Sequence, residues 1–171
     1  MLVALFTGMR SGEVSGLRWT EVDLVSRMLR LSAGRMKGKR ALDLPMSDVV
    51  HELLGTRRAI GREGPFVFPG YGKSGHCESF QYALSQMGKA TGIELSPHDL
   101  RRTYASLAAT CEIPPIALKM LIAHSTGTDV TAGYTILSQE QLRQAAQRVA
   151  DRMKQLCGIG APPGDNVRRL A

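Results

Sequence analysis

The sequence predicts a mainly α-helical domain with a small antiparallel β-sheet, of the α+β class, and three observations lead there. Helix-start signals recur, most clearly at "SPHD" and "SQEQ", where a serine is followed three residues later by Asp99 or Gln141. Between Arg27 and Met46 two short alternating runs, "RMLRLSA" and "ALDLPM", flank the basic segment "GRMKGKR". The chain has 171 residues, 43% of them hydrophobic and 22% charged, which is enough for one packed core and too few for two ordinary domains.

The elements follow in order. Residues 1–8, "MLVALFTG", read as an apolar helix stopped by Gly8. A second short helix starts at Ser11, with Glu13 in its first turn near the positive end of the dipole. The two alternating runs form a hairpin with a basic tip. Ser47 caps a helix running to about Gly61, "FVF" is a short apolar strand, and "GYGKSGHCE" is a glycine-rich loop. "SFQYALSQMGKATG" is helical. Ser96, Pro97 and Asp99 open a helix over "SPHDLRRTYASLAATC", and "IPPIALKMLIAH" is another opened by prolines. A last helix from Ser138 to Leu156 presents Leu142, Ala145, Ala146, Val149, Met153 and Leu156 on one face. "GIGAPPGDNVRRLA" has the composition of a mobile end.

Lys and Arg total 22 against 15 Asp and Glu, a net charge of +7, so nucleic acid is the first partner to consider. The three cysteines, Cys77, Cys111 and Cys157, are far apart and in no CxxC pattern, which excludes a disulfide framework or a zinc site and implies a reducing compartment. No apolar run approaches the roughly 18 residues of a membrane span, and "MLVALF" lacks the features of a signal peptide. A cytoplasmic, nucleoid-associated protein is expected.

Helical spacing of three sets His98 beside Arg101 on the first turns of one helix, where free N–H groups also favour an anion; an ordinary polar helix start has the same pattern. Arg10 follows the break at Thr7 and Gly8, and Glu13 can brace it. Lys37 shares the basic tip with Arg35, Lys39 and Arg40, a set that suits DNA phosphates or a solvated turn. Arg102 is either structural or a DNA-backbone contact. His124 closes a helix, where it can cap free carbonyls, and Tyr134 stands in the polar stretch "IAHSTGTDVTAGYT", exposed or buried as an anchor. Two arginines, a lysine, two histidines and a tyrosine, with no metal-type carboxylate cluster, Walker loop or GxSxG, suit metal-free phosphoryl transfer. Arginine forks stabilise charge on phosphate oxygens while a phenol attacks and later leaves.

Four segments, "TGMRSGEVSGLRW", "GRMKGKRALDLPM", "SPHDLRRTYAS" and "LIAHSTGTDVTAGYT", spanning residues 7 to 135, resemble the tyrosine recombinases, and among them the phage and genomic-island integrases. The resemblance implies the DNA breaking-rejoining fold of that family's catalytic domain. It makes Arg10 and Arg101 the arginines on the nonbridging oxygens of the scissile phosphate, Lys37 the general acid on the departing 5′ oxygen, and His98 a base near the nucleophile. His124 becomes a phosphate ligand and Tyr134 the nucleophile, with Glu13 and Asp99 in support. His124 and Tyr134 stand ten positions apart, one more than the commoner family spacing.

The resemblance further implies double-stranded DNA as partner, no metal or other cofactor, and a homotetramer on paired sites docked through the C-terminal helix, whose apolar face serves equally for packing on its own domain. Residues 1–157 are then the catalytic domain, without its first helix and the N-terminal core- or arm-binding domains, and 158–171 a tail. The function implied is integration or excision of a mobile element through a 3′-phosphotyrosyl link. A noncatalytic DNA-binding relic and a type IB topoisomerase-like nicking-closing enzyme are the alternatives.

Overall fold

The structure, a computed structural model, describes residues 1–36, 39, 41–122 and 137–159. Among these the helices are α1 (Leu2–Thr7), α2 (Ser11–Ser15), α3 (Asp48–Ala59), α4 (Gln81–Thr91), α5 (Pro97–Ala109), α6 (Pro115–Leu121) and α7 (Gln139–Leu156). The strands β1 (Val22–Asp23), β2 (Met28–Leu31) and β3 (Leu42–Pro45) form one antiparallel sheet in the order β1-β2-β3. The mainly helical class with a small antiparallel sheet is as the sequence predicts.

Alternation in the hairpin becomes burial. Leu29 and Leu31 of β2 face Leu44 and Leu42 of β3, all four buried, whereas Arg30 faces Asp43 on the solvent side and reaches Asp23 of β1 at 2.6 Å. The two-residue β1 carries too short a pattern to be read in advance. The strand expected at "FVF" is instead an isolated bridge between Arg18 and Phe66. Trp19 donates its amide to the Pro65 carbonyl at 2.9 Å and Val67 to that of Leu17 at 2.8 Å, but the prolines at 65 and 69 have no N–H with which to extend a ladder.

Ser47 stands at the N-cap of α3, as expected, yet its buried hydroxyl finds no partner among the described residues. The first amide of α3, that of Asp48, is taken by Gln147 Oε1 of α7 at 2.8 Å, so a distant helix supplies the cap. Helix α7 has the capping box the sequence predicts, with the Gln141 amide donated to Ser138 Oγ and the Ser138 amide to Gln141 Oε1. Leu142, Ala145, Ala146, Val149 and Met153 are buried against α1, α5, α6 and β3, while Leu156 is exposed. Of the two destinations open to this apolar stripe, a neighbouring protomer or its own domain, the structure shows it packed on its own domain. No helix among the described residues is long and apolar enough to cross a membrane.

Helix α1 stops at Gly8 for two reasons. Its φ is +65°, a left-handed conformation that costs a residue with a Cβ about 1–2 kcal/mol. A Cβ there would also lie 2.5 Å from the ring of buried Tyr104 on α5, so the helices meet only because the side chain is absent. Gly8→Ala is expected to lower stability by about 3 kcal/mol through the sum of both effects, seen as a fall in the urea midpoint.

Candidate active site

A corner of backbone sets the first arginine. Thr7 donates its hydroxyl to the Val3 carbonyl at 2.6 Å and accepts the Met9 amide at 3.3 Å, which turns the chain after Gly8. Arg10 then becomes the N-cap of α2. Both oxygens of Glu13, a buried residue, are spent on it: Oε2 accepts the Arg10 amide at 2.8 Å and Oε1 accepts Nη1 at 2.9 Å. This is a capping box whose acidic member also orients a half-exposed guanidinium.

Arg101 arrives from α5 and is buried to 8% exposure. Its Nη1 donates to the Gly8 carbonyl at 2.6 Å and its Nη2 to the Ile122 carbonyl at 2.5 Å. These are the residues that end α1 and α6, so one guanidinium occupies the carbonyl-rich ends of two short helices, where a cation is electrostatically favoured. Among the described residues these two carbonyls are its partners, out of the five N–H groups a guanidinium carries.

Burial holds the Arg101 pKa below its ordinary value, and the positive charge of Arg10 adds to the effect; Glu13 opposes it. Arginine nonetheless stays protonated at any working pH. Among the described residues two guanidinium groups therefore share one neighbourhood with a single carboxylate, an excess of positive charge at a partly desolvated place. An anion with several oxygens is the ligand such a site accommodates.

His98 is exposed on the first turn of α5, three residues before buried Arg101. Asp99 reaches back to Ser96, accepting its amide at 2.9 Å and its hydroxyl at 2.6 Å, which holds its carboxyl below the usual value, with Arg102 at 3.3 Å assisting. Asp99 thus fixes the start of the helix that carries His98 and Arg101. Arg102 and Lys39 are exposed, in keeping with a role outside the core.

Arg35, grouped by sequence with the DNA-facing tip, is directed inward. It donates to the carbonyls of Gly16 and Glu13, the latter at 3.0 Å, and its Nε lies 3.3 Å from Glu21 Oε1. The open carbonyls at the end of α2 compete successfully for its guanidinium. Lys37, Arg40, His124 and Tyr134 lie outside the described residues. Sequence reasoning missed the carbonyls of Gly8 and Ile122 as partners of Arg101, since a main-chain acceptor leaves no mark in the residue pattern.

A model of the phage integrase family matches residues 1–141. The chain belongs to that family. The integrase of Shigella phage Sf6 is 31% identical over 135 residues, covering 77% of this chain and 35% of that protein. In three dimensions the integrase of mycobacterium phage Brujita matches with a TM-score of 0.68 at 21% identity, over 86% of this chain and 49% of that one. The Tn1549 transposon integrase, solved in complex with circular intermediate DNA, matches with a TM-score of 0.54 at 20% identity, over 84% and 54%. These two likenesses concern the fold, and this integrase-family chain spans about a third to a half of the length of such relatives.

Arg35→Ala is expected to cost about 2 kcal/mol in denaturant unfolding, because it strips charge-assisted bonds from two carbonyls, whereas Arg102→Ala, an exposed pair, should change stability by less than about 0.5 kcal/mol. The lowered carboxyl of Asp99 contributes stability that is complete above about pH 4, the unfolded value, and is lost as pH falls through the folded one. Asp99→Asn should flatten that acid limb of a stability–pH profile and leave the neutral limb in place.

Proposed function

We propose that this chain is the catalytic part of a site-specific DNA recombinase, cleaving one strand of duplex DNA with Tyr134 and rejoining it to a partner strand. What carries the reading is the pairing of Arg10, braced by Glu13, with buried Arg101, which together leave positive charge where a phosphodiester can bind. Membership of the phage integrase family supports it. The integration or excision of a mobile element is the corresponding biological role.

In the first step Arg10 and Arg101 bind the nonbridging oxygens, stabilising the charge that develops as phosphorus becomes five-coordinate. The Tyr134 oxygen attacks phosphorus and gives up its proton, with His98 as the base. The bond to the 5′ oxygen breaks, and that oxygen takes a proton from Lys37, leaving a 3′-phosphotyrosyl link and a free 5′ hydroxyl. His124 adds a hydrogen bond to the phosphate. In the second step a 5′ hydroxyl of the partner strand attacks, and the phenol leaves with its proton restored. One phosphoester replaces another at each step, so the chemistry calls for neither nucleotide nor metal.

Tyr104 is a poor rival nucleophile. It is 1% exposed and burial pushes its phenol well above the ordinary tyrosine value. Exchange between paired sites takes four copies of the chain, one for each cleaved strand.

The test is a radiolabelled duplex nicked just past the cleavage position, incubated without metal and run in SDS. Wild type should give a protein–DNA band that Tyr134→Phe abolishes, that Arg101→Ala weakens by about 100-fold or more, and that Tyr104→Phe retains. A gel shift with no covalent band from wild type would replace the catalytic reading with that of a DNA-binding fragment.

A further inference from the structure

Three arginines outside the Arg10 and Arg101 constellation converge on one corner of the fold, each laid over an aromatic ring. Arg18 stands 4.8 Å from the Phe66 ring centroid, Arg58 4.8 Å from that of Trp19, and Arg57 5.7 Å from that of Phe68. The convergence is built by the backbone. Residues 17–19 and 65–67 pair through the Trp19 to Pro65 and Val67 to Leu17 hydrogen bonds, and Arg57 of α3 donates its Nε to the Val67 carbonyl at 3.0 Å. No carboxylate pairs with any of the three among the described residues. Arg18 and Arg58 are exposed, and Arg57 is half-buried.

An arginine stacked on a ring is held in place while the edge of its guanidinium stays available, and much of the entropy lost on gripping an anion has already been spent. Four residues on from Arg58 and three on from Phe68 in the chain, Arg62 and Tyr71 line an open groove together with Glu63, Pro69 and Gly70, and the Tyr71 side chain is fully exposed. Arginines interleaved with an exposed aromatic on a chain of net charge +7 are the composition of a nucleic-acid surface. An acidic protein partner has less use for a bare ring beside the cations.

We propose that Arg18, Arg58 and Arg62, with Tyr71, form a second phosphodiester-binding face that grips the DNA backbone away from the scissile phosphate. The inference rests on the reading of this chain as a DNA-binding recombinase. Duplex and single-stranded DNA offer the same backbone chemistry.

The test is the salt dependence of binding, measured by fluorescence anisotropy with a duplex of about 40 base pairs and, in a second arm, with a single strand of equal length. The variants are Arg18→Gln/Arg58→Gln/Arg62→Gln and the single Arg62→Gln, the latter on an exposed loop where folding is insensitive to it. Each lost phosphate contact should reduce the steepness of log K against log salt by about 0.9 on the duplex and about 0.7 on the single strand, hence by about 2–3 for the triple variant and by about 1 or a little less for Arg62→Gln. Tyr71→Ala should weaken the single-strand arm by about fivefold or more if bases stack on it. Slopes equal to wild type in both arms overturn the proposal while leaving DNA binding itself intact. If wild type binds neither DNA at low salt, both the recombinase reading and this face fail together. Binding of poly-glutamate to wild type but not to the triple variant, with unchanged DNA slopes, would assign the corner to an acidic protein instead.

Discussion

One buried guanidinium organises the candidate site. By donating to Gly8 and Ile122, Arg101 joins the end of α1, the end of α6 and the body of α5. All three helices are short or intermediate in length, and short helices have a high proportion of unsatisfied end carbonyls. A buried cation at their negative ends satisfies two such carbonyls and ties both segments to α5. Truncating it would leave buried acceptors without donors and remove charge from the site in the same act.

The neighbouring contacts follow the same physics. Arg35 does for α2 what Arg101 does for α1 and α6, and the Glu13 it supports through the main chain is the residue that orients Arg10. Gly8 has no side chain, which lets Tyr104 pack against it, and Tyr104 lies one turn from Arg101 on α5. Packing and polar contacts thus converge on a single corner. The site's precision comes from groups that are themselves fixed by burial, while His98 and Arg102, on the solvent side of the same helix, stay accessible.

Much of this was legible in advance. The helix over residues 97–109 was marked by Ser96, Pro97 and Asp99, the last helix by Ser138 and Gln141, and the hairpin by alternation around a basic tip, because caps and periodicity are local and need no knowledge of the rest of the chain. The residues Arg10, Glu13 and Arg101 could be named, and the pairing of Arg10 with Glu13 anticipated, since three residues on a helix start are neighbours. Arg35 was misplaced on the surface because its competing partners are carbonyls, which every residue carries. The stripe on α7 was compatible with two destinations, and only the neighbouring helices decide between them.

The sequence by itself therefore determined the helices and the β2–β3 hairpin, though not β1 or the bridge at Phe66, along with which residues have the chemistry for a phosphodiester and the excess of positive charge that draws a polyanion. Tertiary structure decided which main-chain carbonyls Arg101 and Arg35 bind. A guanidinium goes wherever the largest unmet demand for donors lies, and that demand arises from helix ends brought together by packing across as many as 93 positions of chain.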